Sequence, residues 1–309
     1  MIGEQIYMLC KPTFVRKLKI PYKMMNVGLI GNTAILEPHA LKIKENRNVN
    51  IIGKASVGSN TQLNSFHYSI PEFNRVELIE RADVVLMDNS TPYPFKLMQE
   101  IVRKSKHIFC TEHPALTIDE CTELNKLSNE SGSLVQVTNP YFYTPAIQWM
   151  NENIEPPAFI EYSNFEEGTA SESLYTMLLM LLGITGISPK KIGAVTFPGY
   201  DNSKFSNVRL EFSDGSVISL SYGNLESLND FKIRIYADNQ FVTFNFTQNT
   251  FLCDNKSIDL KPYSGIKEFD RFFDTIAGET KKTSCLEDYL IAMHVVQKIN
   301  RKLQQFSAH

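Results

Sequence analysis

The chain has 309 residues, 43% of them hydrophobic and 21% charged, an average globular composition that excludes disordered and fibrous classes. Its 31 basic and 34 acidic residues leave a net charge of −3, so no global electrostatic pull draws it to nucleic acid or to a membrane surface. No apolar run reaches the ~18 residues of a membrane span, and a site for a small molecule is the better starting point. This length suggests about two domains.

Cys10, Cys110, Cys121, Cys253 and Cys285 are scattered, with neither a CxxC pair nor zinc-ligand spacing. An odd count without a secretory leader reads as reduced thiols in a cytoplasm, packed as small hydrophobes. Residues 1–24 carry Lys11, Arg16, Lys17, Lys19 and Lys23 but no compact apolar stretch. They read as a flexible extension, with the folded unit starting near Met25.

From there the pattern is regular. Asn26 to Ile30 is a short apolar strand ending at Gly31, and Ala34 to Asn46 has a helical face. Pro38 is tolerated in a first turn, which puts the predicted helix start near Leu36 or Glu37. Val49–Ala55 is a second strand, Arg75–Arg81 a helix, and Asp83–Met87 a third, buried strand. Phe95–Lys104 (helix), His107–Cys110 (strand), Ile118–Asn129 (helix) and Ser133–Thr138 (strand) complete the first half. Strands alternating with helices in this way mean right-handed crossovers on a parallel sheet. Such a sheet binds ligands beyond the carboxyl ends of its strands, which directs the search to the loops after Ile30, Ala55, Met87, Cys110 and Thr138.

Beyond about residue 150 the grammar changes. A strand at Phe159–Tyr162 precedes a strongly apolar helix, Ser171–Leu182, with Ser171 as its cap. Strands then follow at Val195–Phe197, Asn207–Phe212 and Ser216–Tyr222, the last two joined by a hairpin at Asp214-Gly215. Asp238-Asn239 marks a second hairpin between Phe231–Tyr236 and Gln240–Phe246, and helices at Ile266–Ala277 and Leu286–Lys302 close the chain. The second half is an α+β unit with a mostly antiparallel sheet. Alternating Val208, Leu210 and Phe212, and Val242, Phe244 and Phe246, predict one covered face, by a helix or by a subunit.

Several segments carry a resemblance. Lys106-His107-Ile108-Phe109-Cys110-Thr111-Glu112-His113-Pro114-Ala115-Leu116-Thr117 is similar to the "GKHVLCEKPLALT" segment of the glucose–fructose oxidoreductase, inositol dehydrogenase and MocA-type (Gfo/Idh/MocA) family. Val27 to Gly31 with His39, the strand Ala82-Asp83-Val84-Val85 and the Thr91-Pro92 pair resemble further family segments in matching order. So do Ile118 to Cys121, the exit Asn139, Tyr141-Phe142 and Pro145, and the hairpin Leu210-Glu211-Phe212-Ser213-Asp214-Gly215-Ser216. The resemblance implies a Rossmann-like dinucleotide-binding domain over residues 25–145 and an α+β substrate and oligomerisation domain over 146–309. It further implies an NAD(P)-dependent oxidoreductase for a sugar or sugar-like substrate, assembled as a homo-oligomer. Gly31, Asn32, Thr33, Ser56, Thr91, Pro92 and Glu112 fall at cofactor positions.

The positions that carry chemistry in that family differ here. Of the glycine loop G-x-G-x-x-G only Gly31 remains, because Thr33 and Leu36 occupy the other two glycine positions. Asn32 and Thr33 can still donate hydrogen bonds to a phosphate. Ser56 replaces the acid that grips the adenosine ribose, which with Lys54 suits NADP better than NAD, although a solvated Lys54 is the ordinary reading. The lysine of "E-K-P" becomes His113, a shorter group that also exchanges protons near neutral pH. Aligning Leu181-Leu182-Gly183 with the family's helix end puts Thr169 and Ser173 at its catalytic Asp and His, with Glu166, Glu167 and Glu172 close by. Tyr141-Phe142-Tyr143 at the crossover suits stacking on a sugar, or core packing, and no residue set has metal-ligand spacing. Two readings follow: a divergent oxidoreductase using His113 and Tyr143, or a catalytically silent ligand-binding or subunit-partner protein on the same fold.

Overall fold

The computed structural model describes residues 24–55, 70–91, 93–155, 159–165, 173–198, 204–224, 230–265, 267–278 and 284–307. The N-terminal extension, Ser56, Pro92, Glu166, Glu167, Thr169, Ser171 and Glu172 lie outside the described residues.

The first sheet is parallel and runs in the order β2 (Val49–Ala55), β1 (Met25–Ile30), β3 (Val84–Met87), β4 (His107–Cys110), β5 (Val135–Val137). Side chains alternate across it, as a strand requires. Val27, Leu29, Leu86 and Phe109 face one cluster, whereas Val85, Met87, Ile108 and Cys110 face the other. The helices on the second side are α2 (Arg75–Arg81), α3 (Pro94–Arg103) and α4 (Ile118–Ser131). A full capping box, Thr117 with Glu120, sets the start of α4, and Gly132 at φ +68° ends it.

Helix α1 spans Thr33–Lys44 and starts earlier than the sequence predicts. Asn32 caps it by accepting from the Ala34 amide at 2.9 Å, and Pro38 sits inside the helix. The cost of Pro38 is a missing bond to the carbonyl of Ala34. Both residues are exposed, so water can satisfy that carbonyl.

The chain leaves the first sheet through α5 (Pro145–Asn153), which periodicity did not single out, and enters a second, eight-stranded sheet. Its order is β13 (Lys256–Ser257), β12 (Thr250–Cys253), β11 (Gln240–Asn245), β10 (Asp230–Ala237), β6 (Phe159–Phe165), β9 (Val217–Asn224), β8 (Lys204–Glu211), β7 (Lys191–Pro198). Neighbours are antiparallel except β6 and β9, which are parallel. The predicted hairpins form, with Gly215 at φ +88° and Asp238 at φ +38° in their turns.

One face of this sheet carries Tyr162, Val208, Leu210, Leu220, Ile233 and Val242 into a core shared with α6 (Ser173–Thr185) and α8 (Leu286–Ser307). Helices therefore cover the alternating apolar face. The other face is mixed: Arg234 pairs with Glu161, Lys232 with Asp230, and Asn207 bonds Ser219 and Ser221, while the rings of Phe159 with Tyr236 and of Phe197 with Phe205 lie beside them.

After the second sheet the chain returns to the first. Phe269, Phe272 and Phe273 of α7 (Glu268–Ile276) pack with Leu36, Ala40 and Ile43 of α1. The Phe269 and Phe272 rings lie 4.5 and 5.3 Å from that of Phe109. At the exit from the first sheet Gly183 of α6 meets Phe142, where an added Cβ would fall 2.6 Å from a ring carbon.

Candidate functional site

Strand order 2-1-3-4-5 reverses between β1 and β3, which opens a crevice beyond their carboxyl ends. Ile30 pairs with Met87 at the end of that register, so Gly31 and Asp88 emerge side by side. Gly31 adopts φ +147°, a region L side chains rarely enter. A Cβ there would lie 2.3 Å from Asp88 Oδ1. The Asp88 side chain is 3% exposed and accepts hydrogen bonds from the Asn32 amide at 2.7 Å, the Ser90 amide at 2.9 Å and the Ser90 hydroxyl at 2.5 Å.

In a nucleotide-binding crevice these loop amides and the helix N-terminus face the pyrophosphate. Here the Asn32 amide is given to Asp88 and the Ala34 amide to the Asn32 side chain. Thr33, at the second glycine position, is buried at the start of α1. These two amides are engaged and a carboxylate stands beside them. The residues present do not fit a dinucleotide pyrophosphate.

The second group gathers on the turn after β4. Asn89 clamps it from the next loop: its side-chain amide donates to the His113 carbonyl, and its Oδ1 accepts from the Ala115 amide at 3.2 Å. The exposed Glu112 accepts from the Asn89 amide at 3.1 Å, and Tyr289 of α8 donates its hydroxyl to the Pro114 carbonyl at 3.0 Å. Glu112 and Pro114 thereby hold the turn.

His113 lies against three residues of the second half. Its ring is stacked on Tyr289 (5.9 Å, 13°) and tilted to Tyr175 (5.8 Å, 52°), and its Nε2 is 3.5 Å from Thr176 Oγ1. Burial pushes its pKa down to about 4 and raises those of Tyr175 and Tyr289. At neutral pH the site therefore holds an uncharged imidazole between uncharged phenols. Tyr175 also borders an open cavity of about 340 Å³ between α4, α6 and α8, with Ile118, Met293 and Arg301.

Thr176 stands one helical turn beyond Ser173, the first residue of α6. Only the three-dimensional packing selects it, because no sequence signal marks a threonine there. Asp88 had a signal, being the first polar residue after a fully buried strand.

Among the other candidates, Thr91 is half-buried in the loop after β3. Tyr143 is buried in the core, edge-on to Phe142 at 5.2 Å. His39 sits edge-on to Phe269 at 5.9 Å, and the His107 Nδ1 accepts from the Leu134 amide at 2.9 Å. Both serve the fold. Burial raises the Cys110 and Cys121 thiols to about 12 and Cys285 to about 11, which makes them inert. Among the described residues no group of side chains could hold a metal ion, and no helix is long and apolar enough to cross a membrane.

No family model matches the sequence, and no curated protein matches it either. Solved structures do. UDP-N-acetylglucosamine 3-dehydrogenase GnnA from Acidithiobacillus ferrooxidans is 16% identical, with a TM-score of 0.78 over 91% of this chain and 98% of that one. The WlbA dehydrogenase from Chromobactrium violaceum, in complex with NADH and UDP-GlcNAcA, is 12% identical, with a TM-score of 0.73 over 93% of this chain and 95% of its own. Biliverdin reductase from Synechocystis sp. PCC 6803, in complex with biliverdin and NADP+, is 15% identical, with a TM-score of 0.68 over 91% and 99%. The fold is thus that of the Gfo/Idh/MocA-type dehydrogenases, a Rossmann-like domain followed by a large mostly antiparallel sheet.

Proposed function

We propose that this chain uses the two-domain dehydrogenase fold to bind a sugar-like ligand, of sugar or sugar-nucleotide type, without hydride transfer. The observation that carries this reading is His113. Where the resembling family has a cationic lysine, this chain has a neutral imidazole held between Tyr175 and Tyr289, and the α6 residue touching it is a threonine. With its pKa lowered that far His113 is a weak base, and a threonine hydroxyl supplies none, so the pair is poorly matched to the proton transfer of an alcohol oxidation at neutral pH. Aromatic faces and hydroxyls together suit a sugar, which offers an apolar ring face and polar edges. The outer face of the second sheet, with exposed Phe197 and Tyr236 among its charged pairs, is the surface through which a homo-oligomer would form, and the composition suits a cytoplasmic protein.

A second reading, a divergent NAD(P)-dependent oxidoreductase, is favoured by one contact. The His113–Thr176 pair bridges the two halves of the chain at the place of the family's lysine, one helical turn from the position aligned with its histidine. Calorimetric titration separates the two readings. With UDP-N-acetylglucosamine as the probe, saturable heat is expected in the absence of any nicotinamide, and none with NADH or NADPH up to millimolar concentration. Micromolar binding of either nicotinamide, with turnover of a sugar, would establish the oxidoreductase instead.

A further inference from the structure

We infer that Asp88 is a built-in anion that takes the place of a cofactor's pyrophosphate, and that this one side chain keeps dinucleotides out of the crevice. The inference rests on the reading above that no nicotinamide is bound, and it names the residue responsible. Three observations meet at one point. The carboxylate stands at the topological switch point, where β1 and β3 end together. It is 3% exposed, so it belongs to the interior of the loop and not to its solvent side. It accepts from the Asn32 amide at the entry to α1, the kind of donor that a phosphate would need, and from the amide and hydroxyl of Ser90.

Gly31 has its own part in this arrangement. A first glycine in such a loop ordinarily serves a tight turn. Here its missing Cβ also leaves room for the Asp88 carboxyl, all three of whose heavy atoms would lie within 2.7 Å of that Cβ. Glycine and aspartate are therefore one device, and the retained glycine does not mark a retained cofactor site.

Exclusion then has two sources. The Asn32 and Ser90 donors are already paired, so a phosphate must break the Asp88 bonds to reach them. A diphosphate would also be placed against a buried carboxylate of the same sign, in surroundings that screen poorly. No acidic cluster or cation is required, since the carboxylate is satisfied by backbone and hydroxyl donors within its own loops.

The test compares the full chain with Asp88→Ala, which empties the position, and Asp88→Asn, which keeps the shape and removes the charge. The probes are NADH, followed by its fluorescence, and inorganic pyrophosphate, followed by the amide resonances of Asn32 and Ser90. Folding of each variant is checked by its thermal transition. The expected result is no saturable binding by the parent chain, with Asp88→Ala binding NADH at least tenfold more tightly and pyrophosphate shifting the Asn32 amide. Asp88→Asn is expected to gain at least threefold, and it decides the matter if Asp88→Ala does not fold. Folded variants that bind no better than the parent would overturn the inference while leaving the cofactor-free reading intact. A parent chain that itself binds NADH at micromolar concentration would overturn both.

Discussion

Glu268 gives the most quantitative prediction, because it ties the two halves of the chain together and its ionisation is opposed by its own surroundings. It stands at the start of α7, where its carboxylate accepts from the Asn139 amide at 2.6 Å and the Thr138 hydroxyl at 3.2 Å. Those donors favour the ionised form, yet desolvation outweighs them and pushes the carboxyl up to about 7 from the ordinary 4.5. Between these values the folded protein keeps a proton that the unfolded chain has released. The stability linked to Glu268 is therefore complete below about pH 4.5 and is lost as the pH rises through about 7. At about 1.4 kcal/mol per pH unit the full loss is about 3 kcal/mol. Glu268→Gln stays neutral and retains an oxygen for the Asn139 amide. The variant should exceed the parent by about 2–3 kcal/mol in urea unfolding at pH 8 and match it within about 1 kcal/mol at pH 4.5. An equal difference at both pH values, or a variant weaker at pH 8, would refute the desolvation argument.

Other expected outcomes follow from single contacts. Gly183→Ala should destabilise by about 1–3 kcal/mol despite alanine's better helix propensity, because its Cβ would meet Phe142 ring carbons at 2.6 and 2.7 Å. An unchanged thermal transition would show that the ring moves aside freely. Phe272→Ala, which removes a fully buried ring between α1, α7 and Phe109, should cost about 3–5 kcal/mol in denaturant unfolding. A proton NMR titration should find the His113 imidazole neutral down to about pH 4, and a midpoint near the ordinary 6.5 would mean that the stacked rings do not desolvate it. The same depression makes its linked stability present above the ordinary pKa and lost as the pH falls toward about 4.

Much of the architecture was legible without coordinates. Apolar runs such as Val84 to Met87 and His107 to Cys110 are continuous because those strands are covered on both sides. Alternation along Asn207 to Phe212 marks a sheet with one wet face, and Asp214-Gly215 and Asp238-Asn239 announce hairpins whose turns need positive φ. Helix α1 starts before the point that Pro38 alone predicts. An exposed proline can lie inside a helix when the carbonyl it orphans reaches water and the helix is held by Leu36, Ala40 and Ile43. Short edge strands such as β13, and helix α5, carry too little periodicity to stand out.

The candidate site divides along the same line. What the linear order determined was which loops meet: parallel crossovers bring the segments after Ile30, Met87 and Cys110 to one end of the sheet, whatever residues they contain. It also showed that lysine, aspartate and histidine are missing from the positions where the resembling family has them. Tertiary structure decided what fills those positions. Asp88 reaches the Asn32 amide because β1 and β3 are neighbours, although their residues are far apart in the chain. Thr176, Tyr175 and Tyr289 reach His113 because α6 and α8 pack against the turn after β4. Hydrophobic period is a local property and can be read along a chain, whereas the partner of a buried carboxylate or imidazole is set by which elements pack together.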